Sequence, residues 1–465
     1  MKHLLRTWVE NQGAHAIRRR SYVAAGVLVA GLCLCFAYGA VQDGAQTTKN
    51  QAAHLALFHP DPQHVSNRLY RELHTRSTKS GNEYGYDDLD PLLWLQTEYL
   101  LHGPSHVEAV RLLDEFLHTR AEQQIPDPVR RAILQRDLWA VFDWATPTAN
   151  NEAHPERLEL AARLAPILRR LSLTKGELNG LPDTYAKAIA SKEFPPEYDP
   201  EQAERAFLPA DLFDSHGPWV CIGTPDDEPM ARMHEEYFGR SVFFVFLRLP
   251  GGRAATLAHL NQLADMQAPL FLTNRGQGLP EWNPDVPQFP VGTELALIRK
   301  LVLPDAQGNL IVTPVVESVQ IRHYRKILHD YSNPDELLHS QTVVEIKLDR
   351  GGLFSEEHFG LRAVTPEERA FPILMVQEDA FEEKGLSEHI GRELPMRTLS
   401  TCTTECHGRP GTESMMSLSF REKQVNPHLA ESTPMREAAK VIAWKQTEDD
   451  WRLLLQLWNS NQPSR

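Results

Sequence analysis

The residues best suited to chemistry lie near the C-terminus, in Cys402-Thr403-Thr404-Glu405-Cys406-His407-Gly408. Two thiols followed directly by an imidazole is the arrangement that holds a c-type haem. The thiols add to the two vinyl groups, and the adjacent histidine offers its Nε2 to the iron. The usual spacing leaves two residues between the cysteines, whereas this chain has three. The same residues also read as a Cys402–Cys406 disulfide, as two free thiols, or as part of a zinc site. Zinc requires four ligands, so Glu405, His428 or Cys221 would have to complete the set.

A haem held by His407 leaves a sixth iron position either filled or open. A thioether there favours reduced iron and electron transfer, while an open position suits ligand or peroxide chemistry. Met415, Met416, Met435 and His428 lie within reach in the sequence. Met415 and Met416 follow His407 so closely that the chain would have to wrap the ring edge, with Gly408 and Gly411 supplying the bend. Met435 has the longer and easier path. The expected set is therefore haem c attached at Cys402 and Cys406, with His407 and Met435 as iron ligands.

Other candidate motifs fall short. Gly251-Gly252 follows an apolar run and precedes a helical pattern, but neither Gly-x-Gly-x-x-Gly nor Gly-Lys-Ser/Thr is present, so it reads as a strand-to-helix turn. His234-Glu235-Glu236 lacks the second histidine of a helical zinc motif and reads as a solvated face. Trp444, Trp451 and Trp458 recur every seventh residue, a core or interface stripe that would also suit one face of a nearby haem.

Elements must bring these residues to a site, and the N-terminus decides where that site is. Residues 1–20 form a basic tail with Lys2, Arg6, Arg18, Arg19 and Arg20 against Glu10. Residues 21–40 contain the uncharged run Tyr22–Ala40, long enough to span a bilayer as a helix. Its basic flank stays on the cytoplasmic side, so the body is expected outside the cytoplasm, in the periplasm or its equivalent. Arg19-Arg20 also resembles a twin-arginine export signal, and Ala37-Tyr38-Gly39 offers small residues for cleavage. An uncleaved single-pass anchor is the favoured reading.

The formal net charge is −14, and removing the +4 tail leaves −18 on the body. Such a body repels phosphate backbones, so nucleic acid is not an expected partner. The chain of 465 residues can bury sizeable cores without disulfide staples.

The expected fold is α+β. Residues 41–86 are a polar spacer with at most one helix, around 50–75. Residues 87–192 carry helical patterns over 90–101, 107–119, 128–145 and 155–172, without the fixed period of a repeat family. They are expected to form a helical domain able to dock a protein partner. The Pro- and acid-rich stretch 193–218 is a boundary. Residues 217–395 turn to strand patterns: Ser241–Leu249 is apolar enough to be buried on both faces. The runs 294–303 and 310–324 flank a hairpin loop at 304–309, 342–348 alternates, and Phe371–Val376 is a last candidate. Residues 396–465 hold the cysteine loop and a helical end, with Thr433-Pro434 as a helix start and Thr447 with Asp450 at capping-box spacing.

Four phrases carry a family resemblance: Leu181-Pro182-Asp183-Thr184-Tyr185, Arg240–Ala255, Gln288–Leu297 and Cys402–Ser417. Together they resemble a loosely defined set of exported bacterial proteins bearing a C-terminal, cytochrome c-like Cys-x-x-x-Cys-His motif. The resemblance covers the C-terminal two-thirds. It implies a cysteine-pair-plus-histidine site beside a Gly-x-x-Ser tail, here Gly411 to Ser414, with no reaction attached to it. Whether the chain is an enzyme, and which redox partner it would meet, are not set by these residues.

Overall fold

The computed structural model describes residues 56–77, 83–84, 98–146, 155–231, 234, 239–272, 281–328, 333, 336, 339–355, 359–365, 368–370, 394–395, 407, 411–415 and 428–460. The basic tail, the apolar segment 21–40, the candidate strand Phe371–Val376, Cys402, Cys406 and Met416 lie outside them. Among the described residues no helix is long and apolar enough to cross a membrane.

The chain is α+β. A helical layer comes first: α1 Val65–His74, α2 Gly103–Thr119, α3 Pro128–Ala145, α4 Pro155–Leu171, α5 Lys175–Asn179 and α6 Thr184–Ser191. Local chemistry sets several of the starts. The Asp127 carboxylate accepts from Val129 N at 2.9 Å, and Pro128 occupies the first turn of α3, where its missing N–H costs nothing. Thr174 and Glu177 form a reciprocal capping box on α5. Asp183 caps α6 by accepting from Ala186 N at 2.9 Å.

A seven-stranded, wholly antiparallel sheet follows. Its strands are β1 Val220–Gly223, β2 Ser241–Arg248, β3 Glu294–Pro304, β4 Leu310–Tyr324, β5 Gln341–Leu348, β6 Leu361–Ala363 and β7 Ala430–Glu431. Their spatial order is β6-β5-β4-β3-β2-β1-β7. The β3–β4 hairpin closes at Asp305, whose carboxylate accepts from Gln307 N and Asn309 N at 2.9 and 2.8 Å. Gly308 takes φ +81° there, a conformation that glycine adopts without a Cβ clash. Helices α7 Gly252–Asp265, α8 Arg350–Ser355, α9 Thr412–Met415, α10 Pro434–Lys445 and α11 Asp449–Ser460 complete the chain.

Strand alternation sorts the sheet into two faces. Val242, Phe244, Phe246, Ala296, Ile298, Val319, Ile321, Val344 and Ile346 join the helical layer in one apolar core running in sequence from Leu57 to Trp458. The helices before residue 192 and the strands after 217 therefore share that core. Trp451 and Trp458 are buried in it, so the tryptophan stripe packs α11 onto the helical layer. The opposite face presents Phe243, Val245, Leu247, Leu295 and Tyr324 to α7, α9 and Phe289.

Helix α3 is buried on nearly every side from Ala132 onward. It nevertheless carries Gln135, Arg136 and Asp137 into the interior. Gln135 Nε2 donates to Leu168 O and Pro304 O at 3.2 and 3.1 Å, joining α3 to α4 and β3. A register break in the β3–β4 ladder pairs Arg299 with Ser318 and Lys300 with Val316, leaving Glu317 at the bulge. Thr184 of α6 fills the gap, accepting from Val316 N at 2.8 Å. Tyr185 OH donates to Pro209 O at 2.6 Å. These bonds give the Leu181–Tyr185 phrase a structural role.

Glu317 receives Arg136 Nε at 2.8 Å on one oxygen. Its other oxygen takes the Ser241 hydroxyl and lies 3.0 Å from Arg299 Nε. Arg136 Nη1 and Arg350 Nη2 both donate to Asp137 Oδ1, at 2.8 and 2.7 Å. The result is a buried chain of charges from α8 through α3 to the far face of the sheet.

His74 ends α1 beside this network, stacked on Tyr70 with ring centres 4.6 Å apart. Burial lowers its pKa to about 4; Asp137 opposes the shift, while Arg350 and Arg136 reinforce it. Its folded pKa thus lies below the unfolded value of about 6.5, and the unfolded chain binds the extra proton between the two. Stability from this residue is complete above pH 6.5 and declines as pH falls toward 4, by about 3 kcal/mol in all. Urea midpoints for wild type and His74→Gln at pH 7, 5.5 and 4.5 should show a shallower acid slope in the variant. Parallel slopes would rule out the contribution.

Candidate functional site

The second face of the sheet carries the candidate site. Period-2 alternation places Arg322 and Tyr324 of β4 and Arg299 of β3 on this face, together with Phe243 of β2. Tyr324 is wholly buried, with its backbone bonded to Thr293 O and Gly292 N at 2.9 and 2.8 Å.

Above Tyr324 lies the short helix α9. Gly411 precedes it with φ +95°, and a Cβ at that position would collide with Gln288 Oε1. The same Gln288 oxygen accepts from Thr412 N at 3.1 Å, and Thr412 Oγ1 donates to Pro287 O at 2.7 Å. Ser414 Oγ donates to Gly411 O at 2.8 Å. With that proton committed, the Tyr324 hydroxyl is the donor in its own short bond to Ser414 Oγ. The Gly-x-x-Ser tail is thereby clamped to the Gln288–Leu297 region and to β4.

This clamp fixes an acceptor for His407. The imidazole Nδ1 lies 2.6 Å from Ser414 O. A carbonyl can only accept, so Nδ1 carries the proton and Nε2 keeps its lone pair in the neutral ring. Burial, then Arg322 and His234, hold the His407 pKa well below its ordinary value, with the Ser414 bond opposing them. A neutral imidazole with one nitrogen anchored to a backbone carbonyl is the usual condition of a metal-bound histidine.

His234 is the unexpected neighbour. Its ring centre lies 6.4 Å from that of His407, with the planes 21° apart, and 5.2 Å from Phe243. Burial, Arg322 and Arg299 lower its pKa to about 4. The solvated-face reading of His234-Glu235-Glu236 is corrected for the histidine: His234 N bonds Ala231 O at 2.8 Å, and the ring packs onto the sheet. Arg322 is buried, and its Nη1 has no hydrogen-bond partner among the described residues. A desolvated guanidinium N–H of this kind suits a carboxylate.

The remaining candidates are placed elsewhere. Met435 stands 82% exposed on the first turn of α10. His428 is also exposed, with φ 45°. Met415 is buried in the apolar cluster of the second face. Cys221, considered above as a zinc ligand, is a buried free thiol on the helix-covered face. Burial and Glu437 push its pKa up to about 12, and the sheet lies between it and Tyr324. Gly251-Gly252 forms the strand-to-helix turn: Leu249 N donates to Thr256 Oγ1 at 3.0 Å, and a Cβ on Gly251 would meet that of Ala255. Among the described residues, no group of three or more His, Cys, Asp or Glu side chains could hold a metal ion.

Compared with known proteins, the chain matches no family model, no curated protein and no solved structure.

Proposed function

We propose that this is an exported, membrane-tethered protein that carries one covalent c-type haem for electron transfer or redox chemistry. The observation that supports the reading is the His407 Nδ1–H bond to Ser414 O, which leaves Nε2 as a fixed lone pair beside the Cys402/Cys406 motif. Cys402 and Cys406 would attach the macrocycle and His407 would ligate the iron. Arg322, with its open N–H on the same face, suits a haem carboxylate. Bound in this way, haem supplies a one-electron couple tuned by its axial ligands and its burial. The chain's own residues would hold His407 neutral and aim it through Ser414 and Tyr324.

The tether is assigned to residues 21–40, with the acidic body outside the cytoplasm. The deciding measurement is a pyridine haemochrome spectrum of protein purified from cells with haem-attachment machinery. About one haem per chain is expected for a single site of this type, and none in the Cys402→Ala, Cys406→Ala double variant. Far-ultraviolet dichroism of that variant should match wild type, so that loss of haem is distinguished from loss of folding. A colourless wild type with an intact Cys402–Cys406 disulfide by mass spectrometry would defeat the reading. A haem-free envelope scaffold, docking a partner through its helical layer, would then take its place.

A further inference from the structure

We propose that Arg322 anchors a binding site for a small organic carboxylate on the second face of the sheet. The proposal stands apart from the haem reading, since it uses neither cysteine and no iron. Its basis is a buried cation without a counter-charge. Arg322 is 6% exposed, and its Nη1 has no hydrogen-bond partner among the described residues. Its cross-strand neighbours on β3 and β5 are Leu295 and Val343, both buried and apolar. Glu345, two residues along the same face of β5, receives Gln320 Nε2 at 2.9 Å.

The other buried arginines are satisfied within the chain. Arg136 and Arg299 meet Glu317, Arg350 meets Asp137 and Arg240 meets Asp143. Arg157 donates to Trp144 O. Among the described residues, no ion pair reaches Arg322. A guanidinium removed from water without an anion is costly, and a fold bears such a cost chiefly at functional sites. The surroundings set the class of ligand. Arg299 is balanced by Glu317, so Arg322 adds a single positive charge, which a monoanion neutralises. A planar carboxylate also matches the guanidinium fork. The Tyr324 and Ser414 hydroxyls have their protons committed to Ser414 Oγ and Gly411 O, so neither offers a donor to a phosphate dianion. His234 and His407, on which the Arg322 charge acts, are half-buried and form the edge of the cluster toward solvent.

The test uses the full-length chain made in cells without haem-attachment machinery, so that no haem carboxylate competes. Urea midpoints are followed against sodium acetate, with sodium chloride at equal ionic strength as the control. Acetate should raise the midpoint saturably, by binding the folded state, and chloride should not. Arg322→Met should abolish the acetate response. Arg322→Lys keeps the charge but loses the fork, and should need about tenfold more acetate for the same shift. An acetate response no greater than that of chloride, or one that survives in Arg322→Met, would overturn the proposal. A stronger response to inorganic phosphate than to acetate would overturn the carboxylate assignment. If Arg322→Met does not fold, the wild-type comparison of acetate with chloride and the Arg322→Lys shift decide. The haemochrome measurement is independent: a wild type without haem would remove the haem reading and leave this one standing.

Discussion

Asp137→Ala is expected to cost about 3–5 kcal/mol, the penalty for removing one partner of a buried ion pair. Asp137 has no exposed surface, and its Oδ1 accepts from both Arg136 and Arg350. Burial alone would raise its pKa, yet the two guanidiniums hold it below the ordinary value, so the carboxylate is charged in the folded protein. Without it, two cations share an interior with His74 close by. Arg136 keeps Glu317, whereas Arg350 loses its Asp137 bond. Asp137→Asn should fall between wild type and alanine, because an amide oxygen still accepts but carries no charge. Asp137→Leu combined with Arg350→Met should recover much of the loss, since removing a buried pair together avoids an orphaned charge. Urea midpoints followed by circular dichroism give the comparison. A wild-type midpoint for Asp137→Ala would mean that water reaches the network.

Trp139→Ala should cost a similar amount, about 3–5 kcal/mol for a fully buried aromatic. Trp139 lies on α3, with its ring centre 6.0 Å from that of Trp451 on α11. Lys445 Nζ sits 5.5 Å above the same ring, tied to Asp143 and Asp450 at 3.2 and 2.5 Å. The indole therefore joins the helical layer to the C-terminal helices and lines a buried ion cluster. Its N–H has no hydrogen-bond partner among the described residues. Trp139→Phe should consequently lose contact area but no bond, and cost less than half as much. Hydrogen exchange gives a local readout: Trp139→Ala should expose amides in α10 and α11 before those of β3 and β4. Uniform loss of protection across the sheet would show that the C-terminal helices do not depend on this contact.

The layering of the molecule was legible in the residue pattern because its signals are local. Asp127-Pro128 and Asp183 start helices through bonds to their own neighbours. The unbroken apolar run of β2 requires cover on both faces, which the helical layer and α7 provide. Asp305 and Gly308 close their hairpin within a few residues. His407 stood out because its motif is also local.

The rest of the candidate site depends on contacts between distant segments. Period 2 places Arg322 and Tyr324 on one face of β4, but gives no information about what lies above that face. That was decided when the Gly411 turn docked on Gln288 and brought Ser414 to Tyr324. Glu317 was hidden by the bulge, where strict alternation fails and a side chain can serve both faces. His234 was misread for a related reason. It lies in no regular strand of the sheet, so no periodicity reports its direction, and the adjacent glutamates suggested solvent. Its ring is half-buried against Phe243, and its backbone is tied to Ala231 O. The sequence alone identified a histidine able to act as a ligand, whereas tertiary packing chose its tautomer and its neighbour, because both depend on groups that only folding brings together.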